Sequence, residues 1–192
     1  MANPIDDPAL RGLLSPARLG TYEAACGGNQ AQAMRLYAWN IEASAALWGG
    51  FSVLEVCLRN AMNTQLEHYT GRPDWWNSPK VVLRTEQADA VNTVTAGTGQ
   101  ASQSGRVVAS LMFGFWTSLL ANRYHQRPWV PALQDAFPHY HGRRGSLQQD
   151  LESLRRLRNR LAHHEPVFNR DLAADHALVT GVLGWIAPAA AD

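Results

Sequence analysis

The sequence LQQDLESLRRLRNRLAHHEP, residues 147–166, is the clearest helical signal in the chain and contains the main candidate site. Its leucines recur with a helical period, at positions 147, 151, 154, 157 and 161. The segment therefore predicts a helix that is stopped by Pro166. At about 100° per residue, Arg158 projects from the middle of the leucine stripe, whereas Asn159 and His163 share a neighbouring face. Because an arginine that faces a core is costly unless it is paired or functional, this placement indicates a polar site.

Capping residues, prolines and glycines divide the rest of the chain into further predicted helices. We expect these helices over residues 16–25, 30–47, 51–69, 80–94, 107–124, 131–136 and 171–186. Ser146 is expected to cap the helix that carries the leucine stripe. No segment alternates with period two over the length of a strand. The sequence therefore predicts an all-α helical bundle.

A pair of glycines interrupts the longest helical run. Gly49 and Gly50 are expected to kink or break it, so that residues 30–47 and 51–69 form a long antiparallel helix hairpin. The turn sequence that begins at Gly71 ends this hairpin.

The length of the chain fits one domain, 1–192, which is long enough to bury a core without covalent staples. Residues 1–12 are expected to be a flexible tail. Residues 95–105 are rich in Gly, Ser, Thr and Gln and are expected to be a mobile loop. Cys26 and Cys57 fall in apolar helical contexts, so we expect buried free thiols.

No export or membrane signal is evident in the sequence. Residues 1–7 contain neither a basic region nor an apolar run. No stretch approaches the roughly 20 apolar residues of a membrane span. We therefore expect a reduced, cytoplasmic protein that does not associate with a membrane.

Basic residues cluster towards the C-terminal half. The net charge of the chain is only +1, but residues 123–170 contain nine arginines against four acidic residues. A local basic field is typical of a polyanion site. A bias in genome composition would explain the preference for arginine over lysine, but not this clustering.

Most of the tryptophans are expected to be in the core. Trp39, Trp48, Trp116 and Trp185 lie on predicted helices, where core packing is more common than stacking on a nucleobase. The pair at residues 75–76 fits either the end of the hairpin or a dimer contact.

The residues of the motif suit RNA cleavage without a metal. Histidine titrates near neutral pH and suits proton transfer, so His163 is a candidate acid or base. Arg158 offers a planar, permanently charged fork for a phosphate. Asn159 suits orienting the histidine or donating to the phosphate. Alternatively, His163 is a surface histidine at a helix C-terminus.

Arg158 also has a structural interpretation. Glu55 lies at the edge of an apolar helical stripe, and a buried carboxylate needs a cationic partner. We hypothesise that Glu55 pairs with Arg158 or Arg59 and fixes the site helix against the hairpin.

Several flanking residues are weaker candidates. His164 is a supporting residue that either contacts RNA or helps to end the helix. Arg155, Arg156 and Arg160 are candidate contacts to backbone phosphates or, alternatively, part of a solvated face. The histidine pairs lack a recognised metal-ligand spacing, and no glycine-rich phosphate loop is present, so we expect neither a metal nor a cofactor.

The motif Arg158-Asn159-x-x-x-His163 resembles the signature of the HEPN superfamily, a group of all-helical RNA-cleaving or nucleotide-binding domains. The longer string LRNRLAHHEP, residues 157–166, is similar to that of the Abi-like (abortive infection) proteins of bacteria. Further matching segments are LSPARL (14–19) with Tyr22, LYAWN (36–40), LEVCLRN (54–60), WW (75–76) and FGFW (113–116). The resemblance extends from about residue 10 to residue 168, which is nearly the whole domain.

This resemblance implies a HEPN-type bundle in which Arg158 and His163 form the essential pair. It implies a homodimer whose two copies share one composite cleft, and products with a 2′,3′-cyclic phosphate and a 5′-hydroxyl. Some HEPN toxins have a tyrosine two residues after the histidine, which a partner enzyme modifies. Glu165 occupies that position here, so a small-RNA antitoxin, as for some Abi-like proteins, is the better expectation.

The sequence thus predicts a metal-independent endoribonuclease that acts as a growth-arresting toxin in phage defence. One alternative is a non-catalytic RNA-binding module of the same fold that holds an antitoxin or guide-like RNA. Another is a helical interaction protein with no affinity for RNA.

Overall fold

The computed structural model describes residues 12–98 and 104–190, and all regular structure within them is helical. We number the helices in chain order as α1 (Pro16–Ala25), α2 (Gln30–Thr70), α3 (Thr85–Thr98), α4 (Ser104–Ser110), α5 (Phe113–Ser118), α6 (Arg144–Ala162) and α7 (Leu172–Ile186). Short helical turns occur at Trp75–Asn77, Asn122–Tyr124, His125–Trp129, Leu133–Ala136 and Pro188–Ala190. The predicted all-α class is therefore confirmed, and the short helix expected near 131–136 is present as a turn.

Helix α2 is a single helix of 41 residues, so the predicted break at Gly49 and Gly50, and with it the hairpin, is wrong. A Cβ atom at Gly50 would lie 3.2 Å from Cγ1 of Val179 on α7. Gly50 therefore permits the close approach of α7 rather than a change in chain direction. As expected, α2 ends at Gly71, whose φ of 75° lies in the left-handed region that favours glycine.

Helix α6 packs against α2 through the leucine stripe. Its five leucines are all buried in the common core. Two polar contacts fix the register, since Arg158 reaches Glu55, while the amide of Val167 donates to Oδ1 of the buried Asn40 at 2.6 Å. From Arg158 on α6 to Val167 just beyond its end, the chain thus meets Glu55 and then the earlier Asn40 on α2, so the two helices are antiparallel.

The region after α2 departs most from the predicted helices. Helix α3 begins at Thr85, not at residue 80, and the amide of Arg84 donates to the Tyr124 hydroxyl at 3.1 Å. The predicted helix over 107–124 is divided into α4, α5 and a short turn. Nε1 of Trp116 donates to the carbonyl of Leu111, and thereby satisfies a backbone acceptor at the break between α4 and α5.

The start of α6 is also earlier than predicted. The helix begins at Arg144 with Arg143 as its N-cap, so Ser146 is not the cap. The Arg144 guanidinium donates to the Leu120 carbonyl and, at 3.0 Å, to Oδ1 of Asn122. These contacts to the preceding segment hold the first turn in place.

Part of two sequence predictions lies outside the described residues. This applies to 1–11 of the expected tail at 1–12, and to 99–103 of the expected loop at 95–105. The remainder of that loop is helical, because α3 continues to Thr98 and α4 begins at Ser104. Cys26 and Cys57 are free, as expected, but they are half-buried rather than buried.

Helix α2 has more exposed apolar surface than the sequence suggested. Trp116 is buried as predicted, but Trp39 and Trp48 are 45% and 37% exposed, so their assignment to the core is wrong. Among the described residues, α2 alone is long and apolar enough to cross a membrane by length and composition. One 18-residue window reaches a mean hydropathy of 1.4 with 22% of it buried, so the expectation that no stretch approaches a span is wrong by this measure.

Candidate functional site

An open groove of about 800 Å³ lies between α2 and the C-terminal end of α6. Its walls are formed by Tyr37, Asn40, Ile41, Ser44, Ala45, Trp48, Arg158, Leu161, Ala162 and His164. The α2 residues share one face of that helix, because they follow its 3.6-residue period. The groove therefore brings two of the predicted site residues, Arg158 and His164, together with a stripe of α2 that the sequence had not connected with them.

Arg158 is held at the wall of this groove by two contacts. Its Nε donates to Oε1 of Glu55 at 2.8 Å, and its Cζ atom lies 5.5 Å from the centre of the Trp48 ring. The side chains of Arg158 and Glu55 are 20% and 27% exposed. We find no hydrogen bond from either Nη group of Arg158 to the residues that the structure describes. The guanidinium is thus anchored at one edge and offers its other edge to a ligand.

The pairing of Glu55 with Arg158, one of the two partners hypothesised, is confirmed. Arg59, the other candidate, instead donates from Nη1 to the carbonyl of Ala109 at 3.2 Å. Arg158 also borders a second, smaller cavity of about 200 Å³ on the Glu55 side. The guanidinium therefore separates the two spaces.

His163 and His164 end α6 and are both exposed. The amide of His163 donates to the carbonyl of Asn159 at 3.0 Å, and His164 then turns the chain with a φ of 54°. This left-handed conformation is unfavourable for a residue with a side chain. Nη1 of Arg18 donates to the His164 carbonyl at 2.6 Å and the His163 carbonyl at 3.3 Å, which compensates the free carbonyls at the helix end.

The two histidines differ in their relation to the groove. His164, predicted as a supporting residue, lines it, whereas His163 is not among its lining residues. Asn159 is half-buried one position beyond Arg158 and does not line it either. Within one copy of the chain, the groove therefore contains Arg158 but not the complete predicted set.

The flanking arginines already have acidic partners. Arg155 donates to both carboxylate oxygens of Glu152, at 2.7 and 2.8 Å, and Arg156 lies 3.6 Å from the same carboxylate. The hydrogen bond from Arg155 lowers the pKa of Glu152 below its ordinary value. Arg160 lies 3.5 Å from Glu165. These pairs partly neutralise the basic field that the sequence indicated.

The chain was compared with known proteins. No protein-family model, curated protein or solved structure matches it. Among the described residues, no cluster of three or more histidine, cysteine, aspartate or glutamate side chains has the arrangement of a metal site.

Sequence reasoning missed three residues around the groove. Tyr37 and Trp48 share the face of α2 that carries Glu55, and this spacing was visible in the sequence once Glu55 was paired with Arg158. Arg18 carried no comparable signal, because its contact with the end of α6 joins residues 145 and 146 positions apart.

Proposed function

We propose that this protein is a metal-independent endoribonuclease of the HEPN, Abi-like type that arrests growth in response to phage infection. The main support is the guanidinium of Arg158, which Glu55 holds by its Nε edge at the wall of an open groove. A permanently charged group that is held in place and has donors to spare suits the phosphate at a cleavage site.

In the proposed reaction, the 2′-oxygen of one nucleotide attacks the adjacent phosphorus while its proton passes to a general base of the protein. The bond from phosphorus to the 5′-oxygen breaks, and that oxygen receives a proton. A 2′,3′-cyclic phosphate and a 5′-hydroxyl result. Arg158 stabilises the charge on the phosphorane, His163 transfers protons, and Asn159 orients His163 or contacts the phosphate. His164 contacts the RNA in the groove.

The active form in this proposal is a homodimer in the cytoplasm, with Arg158 and His163 of both copies in one cleft. Support comes from exposed apolar side chains on α2, including Val53 and Val56, which are 48% and 41% exposed. Exposed apolar surface of this kind marks contact sites. A second copy docked there supplies the histidine that the groove of one copy lacks. An RNA substrate and a small-RNA antitoxin complete the set of partners.

The second candidate is a non-catalytic module that holds an antitoxin or guide-like RNA. One observation favours it, namely that His163 does not line the groove that Arg158 borders. In this alternative, the same arginines bind phosphates and no bond is broken.

Growth and binding measured together separate these candidates. The wild type, Arg158→Ala and His163→Ala are each expressed in a bacterial host, and the purified proteins are titrated with single-stranded RNA. We expect the wild type to arrest growth and both variants to permit it, while His163→Ala still binds RNA. Growth arrest by His163→Ala at the wild-type level would contradict catalysis by this residue and favour the binding module.

A further inference from the structure

We propose that the groove beside Arg158 is a nucleobase subsite, in which an unpaired base next to the bound phosphate stacks on Trp48. This inference rests on the proposed function and adds to it the residue that selects single-stranded RNA. It concerns an α2 tryptophan that the RNA-cleaving motif itself does not include.

The position of Trp48 supports stacking rather than packing. The side chain is 37% exposed and lines the groove instead of the core. The guanidinium carbon of Arg158 lies 5.5 Å from the centre of its ring. An indole beside an arginine plane is the surface on which unstacked RNA bases pack. A phosphate on the free edge of Arg158 therefore places its own base within reach of Trp48.

The other walls of the groove provide contacts for the flat faces of a base and for its polar edge. Ile41, Ala45 and Leu161 provide apolar contacts for its faces. The Ser44 hydroxyl is buried without a hydrogen-bond partner in the described part of the chain, which is costly unless a ligand satisfies it. Ser44 lines the groove, so a base bound there brings a polar edge next to this unpartnered hydroxyl.

The size and charge of the groove also favour a nucleotide. About 800 Å³ is within the range of roughly 300–1,000 Å³ that is typical of small-molecule sites. The groove has a cationic group in Arg158, and no carboxylate is among its lining residues. This combination suits an anion joined to a flat, largely apolar ring.

The test measures the coupling between Trp48 and individual bases. Short single-stranded RNAs, each with one abasic position, are titrated against His163→Ala protein, which binds without cleavage. The same series is repeated after adding Trp48→Ala, Trp48→Phe or Trp39→Ala. Trp39 is the matched control, because nine residues place it on the opposite face of α2 and it is 45% exposed.

We expect one abasic position to weaken binding by about 5- to 150-fold, the range of one lost stacking contact. Trp48→Ala should weaken binding of intact RNA similarly and make that abasic position nearly neutral. Trp48→Phe should retain most of the base effect, and Trp39→Ala all of it. Melting temperatures of the variants check that each is folded.

Two results would overturn the subsite. One is an abasic effect of equal size with and without Trp48. The other is loss of the dimer mass in Trp48→Ala by light scattering, which would mean that Trp48 packs against the second copy and not against a base. If His163→Ala binds no RNA at all, the proposed function fails first, and this outcome is distinct from the other two.

Discussion

At the scale of single residues, the pair formed by Arg158 and Glu55 connects stability with function. The carboxylate accepts from Nε of Arg158, and both side chains are largely withdrawn from water. If one partner of such a pair is removed, the other remains poorly solvated. Glu55 is therefore a positioning residue, which holds the guanidinium at the groove in one orientation.

Replacement of Glu55 tests this role. Glu55→Ala is expected to lower the free energy of unfolding by about 1–3 kcal/mol, because it leaves Arg158 without its acceptor. Urea denaturation measures the change. Glu42→Ala, at an exposed position of the same helix, is the control and should change stability by less than about 0.5 kcal/mol. An unchanged free energy of unfolding together with an unchanged RNA affinity in Glu55→Ala would contradict the positioning role.

Whether the sequence could predict a residue of this site depends on the signal that the residue carries. The partnership of Arg158 with Glu55 was predictable, because each is a charged residue at an apolar helical stripe. Trp48 was assigned to the core, because sequence spacing alone does not reveal which side of α2 remains uncovered. Arg18 was missed because its acceptors are backbone carbonyls, which have no sequence signal.

At the scale of elements, local signals predicted the ends of α1, α2 and α7 closely, whereas the boundaries that depend on tertiary contacts were missed. Asn29 accepts from the amide of Gln32 at 3.0 Å and begins α2 as expected, and Gly71 ends it. These caps involve neighbours in sequence. Gly50 was misread because its reason is the approach of Val179, more than 100 residues away. The interruptions of the helix predicted over 107–124 depend likewise on packing around Trp116.

Gly50 also provides a test of the packing of α2 against α7. Glycine to alanine in a helix usually gains about 1 kcal/mol. Gly50→Ala should gain less, or lose stability, because its new methyl group would lie 3.2 Å from Val179. Gly181→Ala on α7 is the matched control, since a Cβ there has no neighbour within 4 Å. Equal stabilisation of both variants in urea denaturation would contradict the close approach.

The acidic partner on α6 restrains two of the candidate RNA-binding arginines. Glu152→Gln should release Arg155 and Arg156 and raise RNA affinity by about 1.5- to 5-fold at low salt, with a steeper salt dependence. Filter binding at several salt concentrations measures this. A loss of affinity would show that the pairs with Glu152 hold these arginines in their binding conformation.

The same carboxylate has a defined pH dependence. Because Arg155 lowers the pKa of Glu152 in the folded state, this pair contributes stability at pH values above the pKa that Glu152 has in the unfolded chain. The contribution is lost as pH falls through the lower, folded pKa. It should be small, since both side chains are more than a third exposed. Glu152→Gln should therefore reduce the loss of stability on acidification only slightly.

At the scale of the whole molecule, the exposed apolar side of α2 is the surface through which we propose that two copies associate. In the proposed homodimer this apolar surface is covered, and each groove receives groups from the other copy. Light scattering at micromolar concentrations should give twice the chain mass of 21.2 kDa. Val56→Glu should reduce that mass, because it places a charge in the contact. Val82→Glu, at a site 65% exposed elsewhere, should leave it unchanged.

A monomer mass for the wild type across this concentration range would contradict the homodimer. In that case the groove with Arg158 would have to operate without a histidine from a second copy, and His164, which lines it, would become the candidate for proton transfer.

Ribonuclease activity without a metal is tested by incubation with RNA in the presence of EDTA, followed by mapping of the new ends. Purified wild type and His163→Ala are incubated with mixed cellular RNA. We predict cleavage by the wild type alone, which leaves 2′,3′-cyclic phosphate and 5′-hydroxyl ends. Tight binding by both proteins without any cleavage would contradict the ribonuclease and leave the RNA-binding module as the function of this fold.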